Sequence, residues 1–250
     1  RSSGNARRRR SDGPHRTGLP RSGTVQRLFP NPVTTTSVAE AYAAPLGRRS
    51  DRPWCSVCMV TSIDGSIVFD GASSGLSSAN DFGVLVQLRE LADVVIVGAG
   101  TVRAEGYGAP SKPGQRVGVV TAAGNVDPSS PLFESGAGFV VTTDEADVDP
   151  ALEVVRVGTE VDPARLLRRL DQVCDRPRVV QVEGGARLNG TFLGADLIDE
   201  IDVNTSPLAV GGDGPRLAGG GADVANRFEL AQLVVDEDSF VFARWRRRAG

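Results

Sequence analysis

The stretch Asp93-Val94-Val95-Ile96-Val97-Gly98-Ala99-Gly100-Thr101-Val102-Arg103-Ala104-Glu105-Gly106 decides the fold. Its apolar run shows no alternation, which marks a strand buried on both faces. The run ends at Gly98 and Gly100 and passes at once into a short helix-like segment reaching Glu105. A second stretch repeats the plan: the strand Arg178–Val182 leads into Glu183-Gly184-Gly185, with a helix expected over Ala186–Leu193. Strand, glycine turn and helix in succession make the unit of an α/β fold. Glycine also lets a ligand approach the backbone amides at a helix start, so each junction is a candidate anion site. Neither is a standard dinucleotide or triphosphate loop. Arg103 stands where a GxGxxG fingerprint needs its third glycine, and no Lys-Ser/Thr pair closes either turn. Two such junctions in one chain favour a nucleotide cofactor.

Working outward, a strand is expected over Trp54–Ser62, ending in the turn Ile63-Asp64-Gly65. The Gly/Ser-rich segment Asp70–Ser78 follows, then a helix reading DFGVLVQLRELA, capped by Ser78 or Asn80. Phe82, Leu85, Val86, Leu88 and Leu91 share its expected core face. Downstream, strands are predicted over Val117–Thr121, Phe139–Thr143 and Val154–Val157, and a helix over Pro163–Val173 with Asp162 as its cap. Ile198–Ser206 alternates as a strand, and Pro207–Gly221 is glycine-rich loop. Strands Phe228–Val235 and Phe240–Arg247 flank Asp236–Ser239, a hairpin signal. The sum is an α/β fold with a mixed, mostly parallel sheet and a C-terminal β-hairpin. A single domain is expected over residues 31–250. The lead-in to about Arg52 carries no assigned element.

The chain has 250 residues, 40% of them hydrophobic and 24% charged, enough to bury a sizeable core. Its formal charge of −3 is uneven: residues 1–30 hold eight arginines against Asp12, a balance of +7, so the remainder carries −10. An acidic body argues against nucleic acid as a partner. The leader at residues 1–30, with its Arg7–Arg10 run, reads as a disordered basic segment. No apolar run is long enough to cross a bilayer and no secretory leader opens the chain, so a cytoplasmic protein is expected. The single histidine, His15, removes the Ser-His-Asp, HExxH and zinc-deaminase chemistries. Cys55 and Cys58 form a CxxC inside the strand WCSVCMV, where residues three apart face opposite ways; with Cys174 they read as core cysteines. No metal site is expected. The chemistry falls to a cofactor, to carboxylates or to backbone.

Several segments then carry a resemblance: Ser62-Ile63-Asp64-Gly65, Leu88–Tyr107, Val182–Ile201, and Pro207–Gly212 with the closing hairpin. In order and spacing they resemble the reductase domain of riboflavin biosynthesis, over about residues 54–247. The resemblance implies a dihydrofolate-reductase-like three-layer α/β/α fold. It also implies reduction of 5-amino-6-ribosylaminouracil 5′-phosphate to the ribitylamino compound with NADPH, NADH being the alternative cofactor. A homodimer with the terminal strands near its interface is implied as well.

By position, the resemblance places Gly98, Gly100, Thr101 and Glu105 at the cofactor, and Gly184, Gly185, Ala186, Arg187, Leu188, Asn189, Gly190 and Thr191 around its phosphates. Ser73, Arg89 and Glu183 match substrate-contacting positions, Lys112 a phosphate-binding one, and Asp81 an acid facing the heterocycle. Asp81 or Glu183 is then the catalytic acid, and Arg89 and Lys112 hold the ribose phosphate. Glu183 is also favoured by its place at a strand's C-terminal end, where ligands gather in open α/β sheets. Each has a plainer reading: Asp81 as a first-turn helix carboxylate, Arg89 as a partner of Glu90, Thr101 as a cap, Ser73 as a loop serine. The chain departs from the family in Ala186, where a Gly-Gly-Pro is common. It departs again in Thr121-Ala122-Ala123-Gly124, which lacks a serine or arginine for a 2′-phosphate. Two rival functions remain open: a pterin or dihydrofolate reductase on the same fold, and a nucleotide-binding protein without catalysis.

Overall fold

The computed structural model describes residues 23–44 and 46–248. The elements in chain order begin with β1 (Thr24–Phe29), β2 (Val33–Ser37) and α1 (Val38–Tyr42). Then come β3 (Trp54–Thr61), α2 (Ala79–Leu91), β4 (Val94–Gly98), α3 (Ala99–Glu105) and β5 (Arg116–Val120). They continue with α4 (Pro131–Glu134), β6 (Gly138–Thr142), β7 (Val154–Arg156), α5 (Pro163–Arg169) and β8 (Val179–Val182). The last are α6 (Ala186–Gly194), β9 (Glu200–Thr205), β10 (Phe228–Asp236) and β11 (Val241–Arg247). One 11-stranded sheet collects the strands in the order β2-β1-β10-β11-β9-β3-β8-β4-β5-β6-β7. From β9 to β7 every neighbour is parallel, and from β9 to β2 every neighbour is antiparallel. The mixed sheet and the β10–β11 hairpin are thus as the sequence implied.

Alternation along the strands separates two faces. Cys55, Val57, Ile96, Val180 and Val182 point to one face, where Leu166 of α5 and Phe192 of α6 cover them. Cys58 and Val60 point to the other, beneath Tyr42 of α1 and Val84 and Leu88 of α2. Beside them Val95, Val97 and Val119 pack with Leu132 of α4. Helices therefore cover both faces of the sheet. Cys55 and Cys58 sit on opposite faces, both buried and unpaired, and burial pushes the Cys55 thiol up to about 12. Among the described residues no helix is long and apolar enough to cross a membrane, and no cluster of His, Cys, Asp and Glu suits a metal ion.

Three expectations change. β1 pairs with β10 from Val25 onward, so Thr24–Phe29 are strand and not leader. Residues 1–22, with the arginine run and His15, lie outside the described residues. Helix α2 rotates relative to its predicted face: Val84 and Leu88 are fully buried, whereas Phe82 is 37% exposed and Leu85 and Val86 border a cleft. Apolar residues surround α2, so their spacing does not select the side that packs. A short helix, α4, occupies a stretch given no element in the sequence, with Pro131 opening it.

Beneath α1 lies a buried polar group that periodicity does not announce. Arg244 is 2% exposed and reaches Glu200 at 3.2 Å and Asp202 at 3.0 Å. Burial and the neighbouring Glu200 raise the Asp202 carboxyl to about 7, against the pull of Arg244.

The segment between β9 and β10 is a strap across the C-terminal end of β3 and the first turns of α6. Ile63 N–H donates to Leu208 O at 2.7 Å, and Ile67 N–H to Pro215 O at 2.9 Å. Asp64 accepts from Ser62 Oγ at 2.6 Å and from the amides of Val210 at 3.0 Å and Gly211 at 2.7 Å. These donors hold its carboxyl well below the usual carboxylate range. At the far end Gly219 N–H donates to Ala186 O at 3.0 Å, and a Cβ on Gly190 would lie 2.4 Å from Gly219 O. Backbone cannot retreat as a flexible side chain does. Gly190→Ala is therefore expected to cost about 1–3 kcal/mol in denaturant unfolding. An unchanged midpoint would show that the strap is free to lift.

Candidate active site

A cleft of about 1670 Å³ runs along the C-terminal ends of β4, β5 and β8, walled by α2, α3 and the start of α6. One end is made by the two glycine junctions. β4 and β8 are hydrogen-bonded neighbours, so their turns lie side by side, and Gly98 N–H donates to Gly184 O at 2.7 Å. A Cβ on Gly98 would stand 3.3 Å from that carbonyl, which explains glycine there. At Gly100 a Cβ would meet nothing within 4 Å, so this turn is open to the cleft. Gly185, joined to Gly184 by a cis peptide bond, faces Thr101: a Cβ added at Gly185 would stand 3.4 Å from the Thr101 Oγ1. The first-turn amides of the nine-residue α6 lie at this end without a side-chain cap.

Of the positions assigned to the cofactor, Gly98, Gly100, Thr101, Glu105, Gly185, Ala186, Arg187, Leu188 and Thr191 line the cleft. Gly184, Asn189 and Gly190 do not; they support the wall from behind. Asn189 is fully buried and its amide donates to Leu217 O of the strap at 2.8 Å. A nicotinamide nucleotide suits this end: the glycine turns leave room for its phosphates, and the exposed side chains of Arg103 and Arg187 line the same cleft, without an ion pair among the described residues.

The other end is built on α2. Ser78 caps that helix, its Oγ accepting from Asp81 N–H at 3.2 Å, and so fixes Asp81 in the first turn. Asp81 is 7% exposed. Its Oδ1 accepts from Asn204 Nδ2 at 2.7 Å, and its Oδ2 is bonded to the Ser77 hydroxyl. Burial raises its carboxyl above the ordinary carboxylate value, with Ser77 and Asn204 opposing. An acid placed this way keeps a proton to higher pH than a surface aspartate does.

Arg89 and Glu183 both line the cleft, but they are committed to each other. Arg89 Nε and Nη2 donate to the two Glu183 oxygens at 2.7 and 2.5 Å, and Tyr107 OH donates to Oε2 at 2.5 Å. The guanidinium also lies 5.1 Å from the Tyr107 ring centroid. Burial and the charge of Glu183 push the Tyr107 phenol well above its usual value, against Arg89. Glu183, with both oxygens engaged, is not a free acid, and Arg89 is not a free phosphate anchor. The pair ties the last turn of α2 to the end of β8, one residue before the glycine turn.

Two further expectations separate from the cleft or recombine within it. Lys112 lies outside it, in a shallow recess with Cys174 and Arg178, and its ammonium donates to Ala92 O at 2.6 Å. Ser73 and Glu105, expected on substrate and cofactor respectively, join each other: Ser73 N–H donates to Glu105 Oε1 at 2.9 Å. That bond fastens the Gly/Ser loop to the end of α3. Sequence reasoning misses Ser77, Tyr107 and Asn204. A signal for Asn204 is present in β9, where Glu200, Asp202 and Asn204 repeat a polar residue at every second position.

The RibD C-terminal domain family matches residues 53–242, which takes in the cleft from β3 to β11. The chain belongs to that family. Members similar to it include a 2,5-diamino-6-ribosylamino-4(3H)-pyrimidinone 5′-phosphate reductase of Methanothermobacter thermautotrophicus, 30% identical over 182 residues, 66% of this chain and 82% of that protein. The riboflavin biosynthesis protein RibD of Mycobacterium tuberculosis is 30% identical over 172 residues, and the match spans 45% of its length. Among solved structures, a pyrimidine reductase-like protein of Corynebacterium diphtheriae superposes with a TM-score of 0.70 at 22% identity, over 79% of this chain and 93% of that one. The family resemblance read in the sequence is thereby shown.

Proposed function

We propose that this chain is an NADPH-dependent reductase of a riboflavin precursor, converting a ribosylamino pyrimidine 5′-phosphate to its ribitylamino form. The observation that carries the reading is the union, in one cleft, of two open glycine turns with a buried acid, Asp81. The substrate in the relatives' names favours the pyrimidine over a pterin. When bound, reduced nicotinamide supplies hydride to the sugar carbon. The chain's own groups do the rest. The turns at Gly98–Thr101 and Gly185–Arg187 seat the cofactor's phosphates on backbone amides, and Phe82, Leu85 and Val86 help exclude water from the reacting end. Asp81 holds the proton needed to open the ribose ring at C1′. The enzyme works as a cytoplasmic homodimer in this reading. Val203, Leu233, Val235, Ala243 and Trp245 project from the sheet face opposite Phe242 and Arg244, outside the buried cores, and Trp245 is 37% exposed.

The test is consumption of reduced nicotinamide by the purified protein with the ribosylaminouracil phosphate, its diaminopyrimidinone counterpart, and dihydrofolate in parallel. Turnover with either pyrimidine is expected. Turnover with dihydrofolate alone would move the enzyme to the pterin branch, and cofactor binding without turnover would favour a non-catalytic role. Preference for NADPH rests on Arg103, since Thr121 and Ala122 at the end of β5 bring no cation to a 2′-phosphate. Arg103→Ala is expected to weaken NADPH binding about tenfold and leave NADH unchanged. Equal weakening of both would assign Arg103 elsewhere.

A further inference from the structure

Asp81 is the acid of the proposed reaction, yet its carboxyl is tucked under the chain that precedes it. Its two oxygens have different surroundings. Oδ1 points to β9 and is held by the buried amide of Asn204. Oδ2 is bonded to Ser77 Oγ, and Ser77 is half-buried on the cleft wall. Capping does not explain Ser77: Ser78 already satisfies the helix start, and the Ser77 hydroxyl makes no bond to an α2 amide. Its other contact is the Ser78 carbonyl at 3.4 Å, a long one. A hydroxyl both donates and accepts. With Asp81 protonated, the bond at Oδ2 runs from the acid to Ser77 Oγ, and the Ser77 proton is released toward the cleft.

We infer that Ser77 is a catalytic residue of this enzyme, passing the proton of Asp81 to the substrate. The inference rests on the reductase reading given above. In the step, the C1′–O4′ bond of the ribosylamino group breaks as the exocyclic nitrogen forms a double bond to C1′. The departing O4′ takes the Ser77 hydroxyl proton, and Ser77 Oγ takes the proton of Asp81. Reduced nicotinamide would supply the hydride that adds at C1′, its electron pair forming the new C–H bond while the C=N π pair returns to nitrogen as an amine. The substrate has gained one proton and one hydride, Asp81 is left as carboxylate, and solvent reprotonates it. Asn204 is a positioning residue in this scheme, since it keeps Oδ1 occupied and so leaves Oδ2 as the oxygen that carries the proton. The ionisable group facing Asp81 is Cys58 on β3, which itself lies near Asp202 on β9 and the Arg89–Glu183 pair. Burial favours a protonated Asp81, and the hydrogen bonds from Ser77 and Asn204 oppose it.

Two measurements test the relay. In turnover, Ser77→Ala is expected to lower kcat about 10²-fold with little change in KM, and to flatten the fall in kcat at rising pH. Ser77→Thr, which keeps the hydroxyl, is expected to stay within about threefold of the parent and retain its pH profile. An alanine variant with parental kcat and pH profile would overturn the proposal. So would a threonine variant as slow as alanine, which would mark a steric role. The second measurement needs no substrate: isotope-edited infrared spectra of the resting protein, with Asp81→Asn to identify the Asp81 band. A protonated-carboxyl band that persists to higher pH than that of a surface aspartate, and that moves in Ser77→Ala, is expected. Absence of that band, or indifference to Ser77, would overturn the relay even if the choice of substrate proved wrong. Conversely, a sensitive band without turnover on any pyrimidine would count against the proposed substrate and leave the relay standing.

Discussion

Asp81→Asn is expected to lower kcat by about 10²–10⁴-fold on the pyrimidine substrate, without unfolding the protein. The substitution is close to isosteric, and the site can absorb it. The remaining carbonyl oxygen still accepts from Asn204 Nδ2, now 2.7 Å from Oδ1, and the new amide nitrogen can donate to Ser77 Oγ. What disappears is the proton. Because burial raises the Asp81 value, the parent's kcat should fall as pH climbs through that raised value and the acid ionises. The variant should show a low, flat profile. The substitution acts on stability with the opposite sign to its effect on kcat. A carboxyl whose folded value is raised weakens the fold as pH rises from its unfolded value, about 4, and the loss is complete above the folded value. Asp81→Asn should therefore match the parent in acid and equal or exceed it in melting temperature at alkaline pH. A variant that turned over normally would remove Asp81 from the chemistry; one that melted earlier at alkaline pH would make the aspartate a structural anchor.

How far the sequence discloses this site depends on the range of the interactions. The unbroken apolar run before Gly98 and the second run before Gly184 place β4, β8 and both turns, because continuous burial and glycine are local signals. That the turns lie side by side is a consequence of strand order, which spacing along the chain does not contain. The Ser77–Asp81 bond spans four residues and is within reach of local reasoning; the Arg89–Glu183 pair spans 94, so the sequence offers Arg89 only near neighbours such as Glu90, Gln87 and Asp93. The position of Lys112 is matched across a loop, and the loop carries it away from the cleft. The strands β1 and β2 escape for a related reason. β1, TVQRLF, has mostly exposed or half-exposed side chains and is organised by pairing with β10 more than 200 residues later, while β2 is the edge strand that pairs with β1 alone. The one local sign there is Ser37-Val38-Ala39-Glu40, a capping box that opens α1.

Removing one partner of the Arg89–Glu183 pair should produce the largest loss of stability. Glu183 is 3% exposed in its side chain and Arg89 28%, so each relies on the other in place of water. Arg89→Met keeps most of the packing volume beside Leu85 and Leu88 but leaves the Glu183 carboxylate with the Tyr107 hydroxyl alone. Stranding a buried charge costs about 3–5 kcal/mol, which in a domain of this size lowers the melting temperature by roughly 6–20 °C. The double variant Arg89→Met with Glu183→Gln should recover part of that loss, because no unpaired charge remains. If the double variant were no more stable than the single one, the guanidinium's stacking on Tyr107 at 5.1 Å would be the larger contribution. The consequence for function follows from position. Glu183 precedes Gly184, whose carbonyl accepts from Gly98 N–H, so the pair connects the α2 wall to both glycine turns. Arg89→Met should therefore weaken cofactor binding as well as stability, whereas a residue that merely held the substrate phosphate would raise the substrate KM and leave cofactor affinity untouched.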